Sequence, residues 1–263
     1  MNGLLKEKED KILFAKVLDR QEAATHKSSY TDFIDPARCS VFMNILIREK
    51  KHKHIFVYGG YEHAERKIIG FLSELELSEN MEDREEESKS SFPITPISVI
   101  YNQKFSKPPT HRDYLGATIG LGLDRGKIGD IVLGEEGATI YVKSDIANYI
   151  VEHLEQVGRT SVTAKIGEIL TNIKSTAKER RINVASLRVD TVIGAAFNLS
   201  RNKASMFIER EKVFVNWKLV KKDYLVKPED IITVRGVGRV EIGEQVSITK
   251  KDRIVLDVIL FST

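Results

Sequence analysis

The sequence predicts an α+β protein in three parts, because three kinds of pattern follow one another along the chain. Helical spacing and one short strand fill the N-terminal part, an α/β unit at residues 1–75. Strands and helices alternate at 93–172, and two short helices precede several strands at 182–263. An acidic segment at 76–92 separates the first two parts. A chain of 263 residues is long enough for two or three domains with cores of their own.

Charge is unevenly distributed along the chain. The formal net charge is only +3, yet eight acidic residues are concentrated from Glu74 to Glu87. The remainder is therefore basic, and the acidic segment has the composition of a flexible linker or loop. The single cysteine, Cys39, excludes an internal disulfide and is typical of a reducing compartment. No apolar run approaches the roughly 18 residues of a membrane span, so we expect a cytoplasmic protein without membrane contact.

The N-terminal part combines two helical patterns with one strand. The spacing predicts helices over Leu4–Ala24 and Val41–Ile47, and Asp35-Pro36 between them is typical of a helix start. The strand His54–Tyr58 ends at Gly59-Gly60. That glycine pair lacks the spacing of a phosphate-binding loop, so it predicts a tight turn.

The middle part has the clearest order of elements. A strand, a helix, a hairpin, a second helix and a last strand are predicted at Ile94–Tyr101, His111–Leu123, Ile128–Leu133 with Ala138–Val142, Ile146–Val157 and Ser161–Ile169. This β-α-β-β-α-β order is the ferredoxin-like arrangement. Many RNA-binding modules and many enzymes share it, so the order alone does not determine function. The aromatic consensus of an RNA-recognition motif is missing, since the third strand has only Tyr141 and Tyr101 on the first is equally suited to the core.

The C-terminal part changes its hydrophobic period from helical to alternating. A first short helix has its apolar stripe at Val189, Val192, Ile193 and Ala196. Ser200 then stands where an N-cap precedes a second helix, whose inner stripe is Ala204, Phe207 and Ile208. Val213–Val215 reads as a strand, Asn216-Trp217 as a tight reversal, and Ile231–Val234 as a later strand of a small sheet.

Basic residues recur on every element of this C-terminal part, and the arrangement can bring many of them to one surface. The helix start beside Ser200 adds free N–H groups and the positive end of a helix dipole, which suits phosphate. The residues we expect to contact RNA are Arg188, Ser200, Arg201, Lys203, Lys212, Asn216, Lys218, Lys221, Lys222, Arg235 and Arg239. For any one of these cations, solvation of a small domain is the better explanation, whereas the set as a whole favours nucleic-acid binding. The Arg235–Arg239 bend also suits a purely structural turn.

The same residues carry a resemblance to a known domain. The pattern resembles the S-four RNA-binding domain, named for a small-subunit ribosomal protein and also called the αL type, at Arg188, Asp190, Ser200, Arg201, Ala204, Lys212, Val213, Val215 and Asn216. Glu211 and Trp217 depart from it, because that domain usually has glycine at both positions. Neither departure removes a cation.

Further motifs are similar to the bacterial YlmH family along nearly the whole chain. They are Thr31–Pro36, Tyr58–Tyr61, Ala64–Lys67, Thr110–Gly116, Lys127–Ile131, Val157–Ser161 and Arg235–Arg239. The resemblance implies an RNA-binding protein encoded among bacterial cell-division genes. It also implies work on the large ribosomal subunit, in contact with ribosomal RNA and a stranded peptidyl-tRNA, during ribosome-associated quality control.

Signatures of catalysis are missing. A pseudouridine synthase would need aspartate in a Gly-Arg-Leu-Asp context, and a methyltransferase would need a glycine-rich loop after its first strand. His52, His54 and His63 have no carboxylate or thiolate spacing that suggests a metal site. We therefore expect a monomeric RNA-binding protein without catalysis, cofactor or metal. A protein-interaction adaptor in cell division and an RNA-modifying enzyme stay open as alternatives.

Overall fold

The computed structural model describes residues 5, 8–49, 54–62, 64–73, 76, 88–104, 107–167, 169–170, 177–249 and 252–262. The chain divides into two compact units, 1–173 and 174–263. The first unit contains both the N-terminal and the middle part of the sequence analysis, and the boundaries given there between the three parts stay predictions. Most of the acidic segment at 76–92 lies outside the described residues, as do His52 and His63.

The N-terminal part consists of two helices and a three-stranded antiparallel sheet. Its elements are α1 (Lys8–Ala23), β1 (Ser29–Tyr30), α2 (Pro36–Arg48), β2 (Ile55–Tyr58) and β3 (Ile68–Phe71), with β3 in the middle of the sheet. Asp35 caps α2 by accepting a hydrogen bond from the Arg38 backbone N–H, 3.1 Å away, and Pro36 is the first helical residue. The helix start that the sequence predicted at Asp35-Pro36 is confirmed, and α2 continues through the predicted stretch Val41–Ile47 to Arg48.

The middle part forms a five-stranded antiparallel sheet with two helices. Its elements are β4 (Ile94–Tyr101), α3 (His111–Gly120), β5 (Ile128–Leu133), β6 (Gly137–Lys143), α4 (Ala147–His153), β7 (Gln156–Val157) and β8 (Thr160–Ile166). The strand order β5-β6-β4-β8-β7 puts β4 between β6 and β8, as the ferredoxin-like arrangement requires.

The second helix of this part ends earlier than the sequence predicts. We expected it to continue to Val157, but α4 ends at His153 and Val157 pairs with Thr160 in the β7–β8 hairpin. Gly158, in the turn of that hairpin, has a φ of +62°, a conformation that glycine adopts without strain. The residues before Gly158 have helical spacing, but the hairpin that this turn allows forms instead, and the helix ends at His153.

The N-terminal part packs against the face of the middle sheet that α3 and α4 leave open. Tyr141 on β6 is 2% exposed and its ring stacks on Tyr61, with centroids 4.9 Å apart. The Asp130 carboxylate accepts hydrogen bonds from the Tyr61 hydroxyl at 2.9 Å and from the backbone N–H of Arg66 at 3.1 Å. Lys143, also on β6, donates to the carbonyl of Thr31 at 3.1 Å. Both apolar and polar contacts thus fix the two parts into one unit.

The C-terminal unit is a six-stranded antiparallel sheet with two helices on one face. Its elements are β9 (Ala177–Val184), α5 (Val189–Ala196), α6 (Arg201–Glu209), β10 (Val213–Val215), β11 (Lys218–Leu219), β12 (Ile231–Val234), β13 (Gly238–Ile248) and β14 (Ile254–Ser262), in the sheet order β11-β10-β12-β13-β14-β9. The helix stripes predicted from the sequence form the core with Ile232, Val240 and Leu256. Strands β9, β13 and β14 were not predicted.

Replacing Asp130 with alanine is predicted to destabilise the first unit by about 2 kcal/mol, because several donors lose a charged acceptor in a partly buried joint. Urea unfolding followed by circular dichroism measures the change. Asp145→Ala is the control, since the Asp145 carboxylate is 56% exposed and its ion pair with Lys127 should contribute about 0.5 kcal/mol. Equal stability of the two variants would contradict the role given to Asp130.

Candidate nucleic-acid interface

The first candidate cation, Arg188, is the N-cap residue of α5 and is tied to a buried carboxylate. Its guanidinium donates two nearly parallel hydrogen bonds to Asp190, Nε to Oδ1 at 3.1 Å and Nη2 to Oδ2 at 3.2 Å. The side chain of Asp190 is 1% exposed, whereas that of Arg188 is 39% exposed. Burial opposes ionisation of Asp190, but the hydrogen bonds from Arg188 and the Thr191 N–H outweigh it, so the pKa of Asp190 is lowered. The pair fixes a guanidinium at the surface with N–H groups still available.

The segment 218–226, which starts with β11 and carries three lysines, folds back onto this end of α5. We call it the lysine loop. The Val189 N–H donates to the Tyr224 carbonyl at 2.9 Å, and the Val226 N–H donates to the Leu187 carbonyl at 2.8 Å. The positive charge of Lys222 contributes to the lowered pKa of Asp190. We call Arg188, Lys218, Lys221 and Lys222 the loop group; Lys218 and Lys221 also line an open groove of about 580 Å³.

The buried carboxylate of Asp230 holds the two ends of this loop together. It accepts hydrogen bonds from Asn216 Nδ2 at 2.8 Å, from the Tyr224 hydroxyl at 3.0 Å and from the Lys227 N–H at 2.9 Å. Burial, with this bond to Asp230 as the next cause, raises the pKa of Tyr224. Asn216 Oδ1 in turn accepts from the Ile231 N–H at 3.0 Å. Asn216 therefore has a structural part that the sequence did not reveal, and its contact with RNA stays a prediction.

The two positions where this chain departs from the usual S-four pattern keep the backbone shape that glycine would have. Glu211 has a φ of +54° after α6, and its N–H donates to the Ile208 carbonyl at 2.9 Å. Asn216 and Trp217 have φ values of +46° and +60°, which make the β10–β11 turn a two-residue turn of type I′. The left-handed conformation costs a non-glycine residue about 1 kcal/mol, so both positions carry some strain.

A second group of candidate residues lies at the other end of α5. Ser200 caps α6, and its hydroxyl accepts a hydrogen bond from the Lys203 N–H at 3.3 Å, as the sequence predicts. The Leu199 N–H donates to the Gly194 carbonyl at 2.9 Å, which ties the turn to the end of α5. We call Ser200, Arg201 and Lys203 the helix-start group. Arg201 and Lys203 are exposed and make no ion pair within the part of the chain that the structure describes.

Arg235 and Arg239 lie apart from both groups. Arg239 is opposite Thr233 and Phe261 in the sheet, and its neighbour Val240 points into the core, so Arg239 lies on the sheet face without helices. Its guanidinium is 4.1 Å from the centre of the Phe261 ring, and that of Arg235 is 4.3 Å from the Phe214 ring. Strand alternation thus separates these two cations from the helix starts. Their contact with RNA stays a prediction, as does that of Lys212, whose carbonyl accepts from the Arg235 N–H at 2.9 Å.

The structure therefore places the predicted cations at the two ends of α5 and on the opposite face of the sheet, whereas the sequence allowed many of them to share one surface. α5 has eight residues and is about 12 Å long. The loop group and the helix-start group are near enough for one folded RNA to reach both.

The described residues give little support to a reactive cysteine, a metal site or a membrane-spanning helix. Burial raises the pKa of the Cys39 thiol to about 11, so it is protonated at neutral pH. No group of three His, Cys, Asp or Glu side chains could hold a metal ion in the ranges that the structure covers. Of the described helices, none is long and apolar enough to cross a membrane.

The chain is similar to known RNA-binding proteins in both units. The family model described as a putative RNA-binding domain in YlmH matches residues 87–171, and the S4 domain, here called the S-four domain, matches residues 187–232. The ribosome-associated protein quality control protein P2 of Bacillus subtilis (strain 168) is 33% identical over 231 residues, or 87% of this chain and 85% of that protein. The solved structure of the cell division protein ylmH from Streptococcus pneumoniae is 20% identical, with a TM-score of 0.46, and the match covers 64% of this chain and 96% of that one.

The two matched domains define an RNA-binding protein of mixed α and β structure with a C-terminal S-four domain. The identity and coverage of the Bacillus subtilis relative then give the family: this chain belongs to the YlmH family, as its motifs suggested.

Replacing Asp230 with alanine is predicted to loosen the lysine loop and to lower the unfolding free energy of the C-terminal unit by about 2 kcal/mol, because buried donors lose their acceptor. The only tryptophan of the chain, Trp217, lies in the hairpin that Asp230 holds, so its fluorescence reports the urea unfolding of this region.

The control is Asp223→Ala, which removes an exposed carboxylate from the same loop and should change the unfolding free energy by less than about 0.5 kcal/mol. If Trp217 fluorescence gives the same midpoint for both variants, Asp230 does not hold the loop.

Proposed function

We propose that this chain is a non-catalytic protein that binds ribosomal RNA, transfer RNA or both on the large ribosomal subunit, in the rescue of stalled translation. The observation that carries the proposal is the helix-start group: a serine-capped helix inside an RNA-binding domain, with two exposed cations that form no ion pair with any described residue. The name of the Bacillus subtilis relative supports the ribosomal setting. Such a protein works in the cytoplasm.

The phosphate backbone is the part of the RNA that these residues suit. Arg201 and Lys203 lie where α6 begins, and the first N–H groups of a helix together with its dipole attract anions. The loop group adds two further exposed lysines, Lys218 and Lys221, at the other end of α5. If about six phosphates are neutralised, the logarithm of the affinity falls with the logarithm of salt concentration with a slope of roughly −4 to −5.

The middle sheet has no exposed face on which RNA bases could stack. RNA-recognition motifs stack bases on aromatic side chains of an exposed sheet face. Here Tyr141 is 2% exposed beneath Tyr61, and Thr139 and Ser98 on the same face are fully buried. RNA that contacts the first unit has to use its loops, helices or strand edges, and the C-terminal unit is the stronger candidate for the main contact.

The groove beside the loop group also suits RNA binding. Among the described residues, its lining includes two lysines, Lys218 and Lys221, and one carboxylate, Asp223. The two ammonium groups attract anions such as phosphate.

The double substitution Arg201→Glu with Lys203→Glu is predicted to abolish co-sedimentation with large ribosomal subunits while the protein stays folded. Both side chains are exposed, so their replacement does not disturb the core. The helix cap is also kept, because Ser200 accepts its hydrogen bond from the backbone N–H of Lys203. Circular dichroism and Trp217 fluorescence check the fold.

Lys8→Glu with Lys11→Glu is the matched control, because these exposed lysines lie on α1 and have nearly the same spacing. Unchanged sedimentation of the Arg201 and Lys203 variant would overturn the proposed surface. Retention of division proteins instead of ribosomal subunits by the natural protein would favour the adaptor function.

A further inference from the structure

Strand β9 carries three exposed cations outside the matched S-four domain at 187–232, namely Lys178, Arg180 and Arg181. Lys178 and Arg180 are two residues apart and therefore lie on one face of the sheet. They were not among the RNA contacts predicted from the sequence, because β9 itself was not predicted. The sequence did contain a signal for this strand, because Lys178, Arg180, Ile182 and Val184 are spaced two residues apart and so share one face of a strand. The last two of these side chains are buried.

The register of the sheet fixes the face on which these cations lie. Arg180 is directly opposite Val258, which is in the core, and Lys178 is directly opposite Leu260, which packs against that core. Residues directly opposite each other in an antiparallel pair point to the same face. Lys178 and Arg180 therefore lie on the face that carries α5 and α6, at the outer edge of the sheet.

The contacts of α5 also show which end of the unit the two cations occupy. Phe197, just after α5, lies next to Gly238, which is paired with Ser262 at the end of β14. The residue before Ser262 is paired with Ala177, at the start of β9. The turn after Phe197 leads directly to the helix-start group, so Lys178 and the start of α6 belong to the same end of the unit.

The charges of Lys178 and Arg180 are not neutralised by described residues. Neither side chain makes an ion pair in the part of the chain that the structure covers, and the two lie about 6.8 Å apart along the strand. Their neighbour Arg181 differs, because it points to the opposite face and its Nε is 2.8 Å from Asp257 Oδ1. A charged edge strand also discourages pairing with other chains. Protection of the edge against pairing would be provided equally well by acidic side chains. Both side chains here are basic, and they lie on the same face as the helix-start group.

We propose that Lys178 and Arg180 bind the RNA phosphate backbone beside the helix-start group, so that the RNA-binding surface extends beyond the S-four domain onto β9. This inference rests on the proposed function. It makes the edge of the sheet part of the interface and adds two phosphate contacts to those of α6 and the lysine loop.

Arg180 and Arg181 provide a matched test, since they are adjacent, carry the same side chain and point to opposite faces. Co-sedimentation with purified large ribosomal subunits is measured over a series of potassium chloride concentrations at constant magnesium for Arg180→Gln and for Arg181→Gln. Arg180→Gln should lower the steepness of the salt dependence by about 1, and Lys178→Gln with Arg180→Gln should lower it by about 2. Arg181→Gln should leave it unchanged, because Arg181 is already paired with Asp257.

The outcomes separate this inference from the proposed function. Equal salt dependence of the Arg180→Gln, Arg181→Gln and natural proteins, with binding lost only in the Arg201 and Lys203 variant, overturns the inference and leaves the proposed function in place. Binding that survives in every variant, including the Arg201 and Lys203 variant, overturns both. Equal thermal unfolding of the Arg180→Gln and Arg181→Gln proteins ensures that the comparison reports on RNA contact.

Discussion

The packing of α5 against one face of the C-terminal sheet is the constraint on which the rest of the interface depends. Val189, Val192 and Ile193 are fully buried there. Burying an apolar side chain of this size contributes about 1.5–3 kcal/mol, so the helix cannot rotate without losing much of the stability of the unit. Its two ends are therefore fixed, with Arg188 at one and the turn to α6 at the other.

Two buried carboxylates determine where basic residues lie at the surface beside α5. Asp190 fixes the guanidinium of Arg188, and Asp230 holds the hairpin and the loop that carry the lysines. A buried carboxylate is costly unless it is fully hydrogen-bonded, and each of these accepts bonds from a side chain and from a backbone N–H. The Arg188 guanidinium and the backbone that carries the lysines are thus held in position. In the proposed function, this reduces the entropy lost when RNA binds.

The two units differ in how the faces of their sheets are covered. In the first unit, the open face of a ferredoxin-like sheet is covered by the N-terminal part, and Asp130 and Lys143 fix that contact with hydrogen bonds. In the C-terminal unit, the helices cover one sheet face while their starts stay in water. Many RNA-binding modules share this fold and use the sheet face that is buried here. This burial supports the proposal that the main RNA contact lies in the C-terminal unit.

Local signals made much of this fold predictable. Caps such as Asp35 and Ser200, the stripes of α5 and α6, and the order of strands in the middle part all depend on residues close in sequence. The candidate site was predicted as a set of cations, but its division was not. Which face Arg239 takes, and whether Lys178 and Arg180 belong to the site, depends on strand register, and register is decided by partners far along the chain.

Crosslinking is the most direct test that the C-terminal unit holds the RNA. The protein bound to large ribosomal subunits is irradiated with ultraviolet light, and the peptides joined to RNA are identified by mass spectrometry. The account predicts adducts within residues 177–224, on β9, the start of α6 and the lysine loop. Adducts confined to residues 1–173, with none in the C-terminal unit, would contradict it.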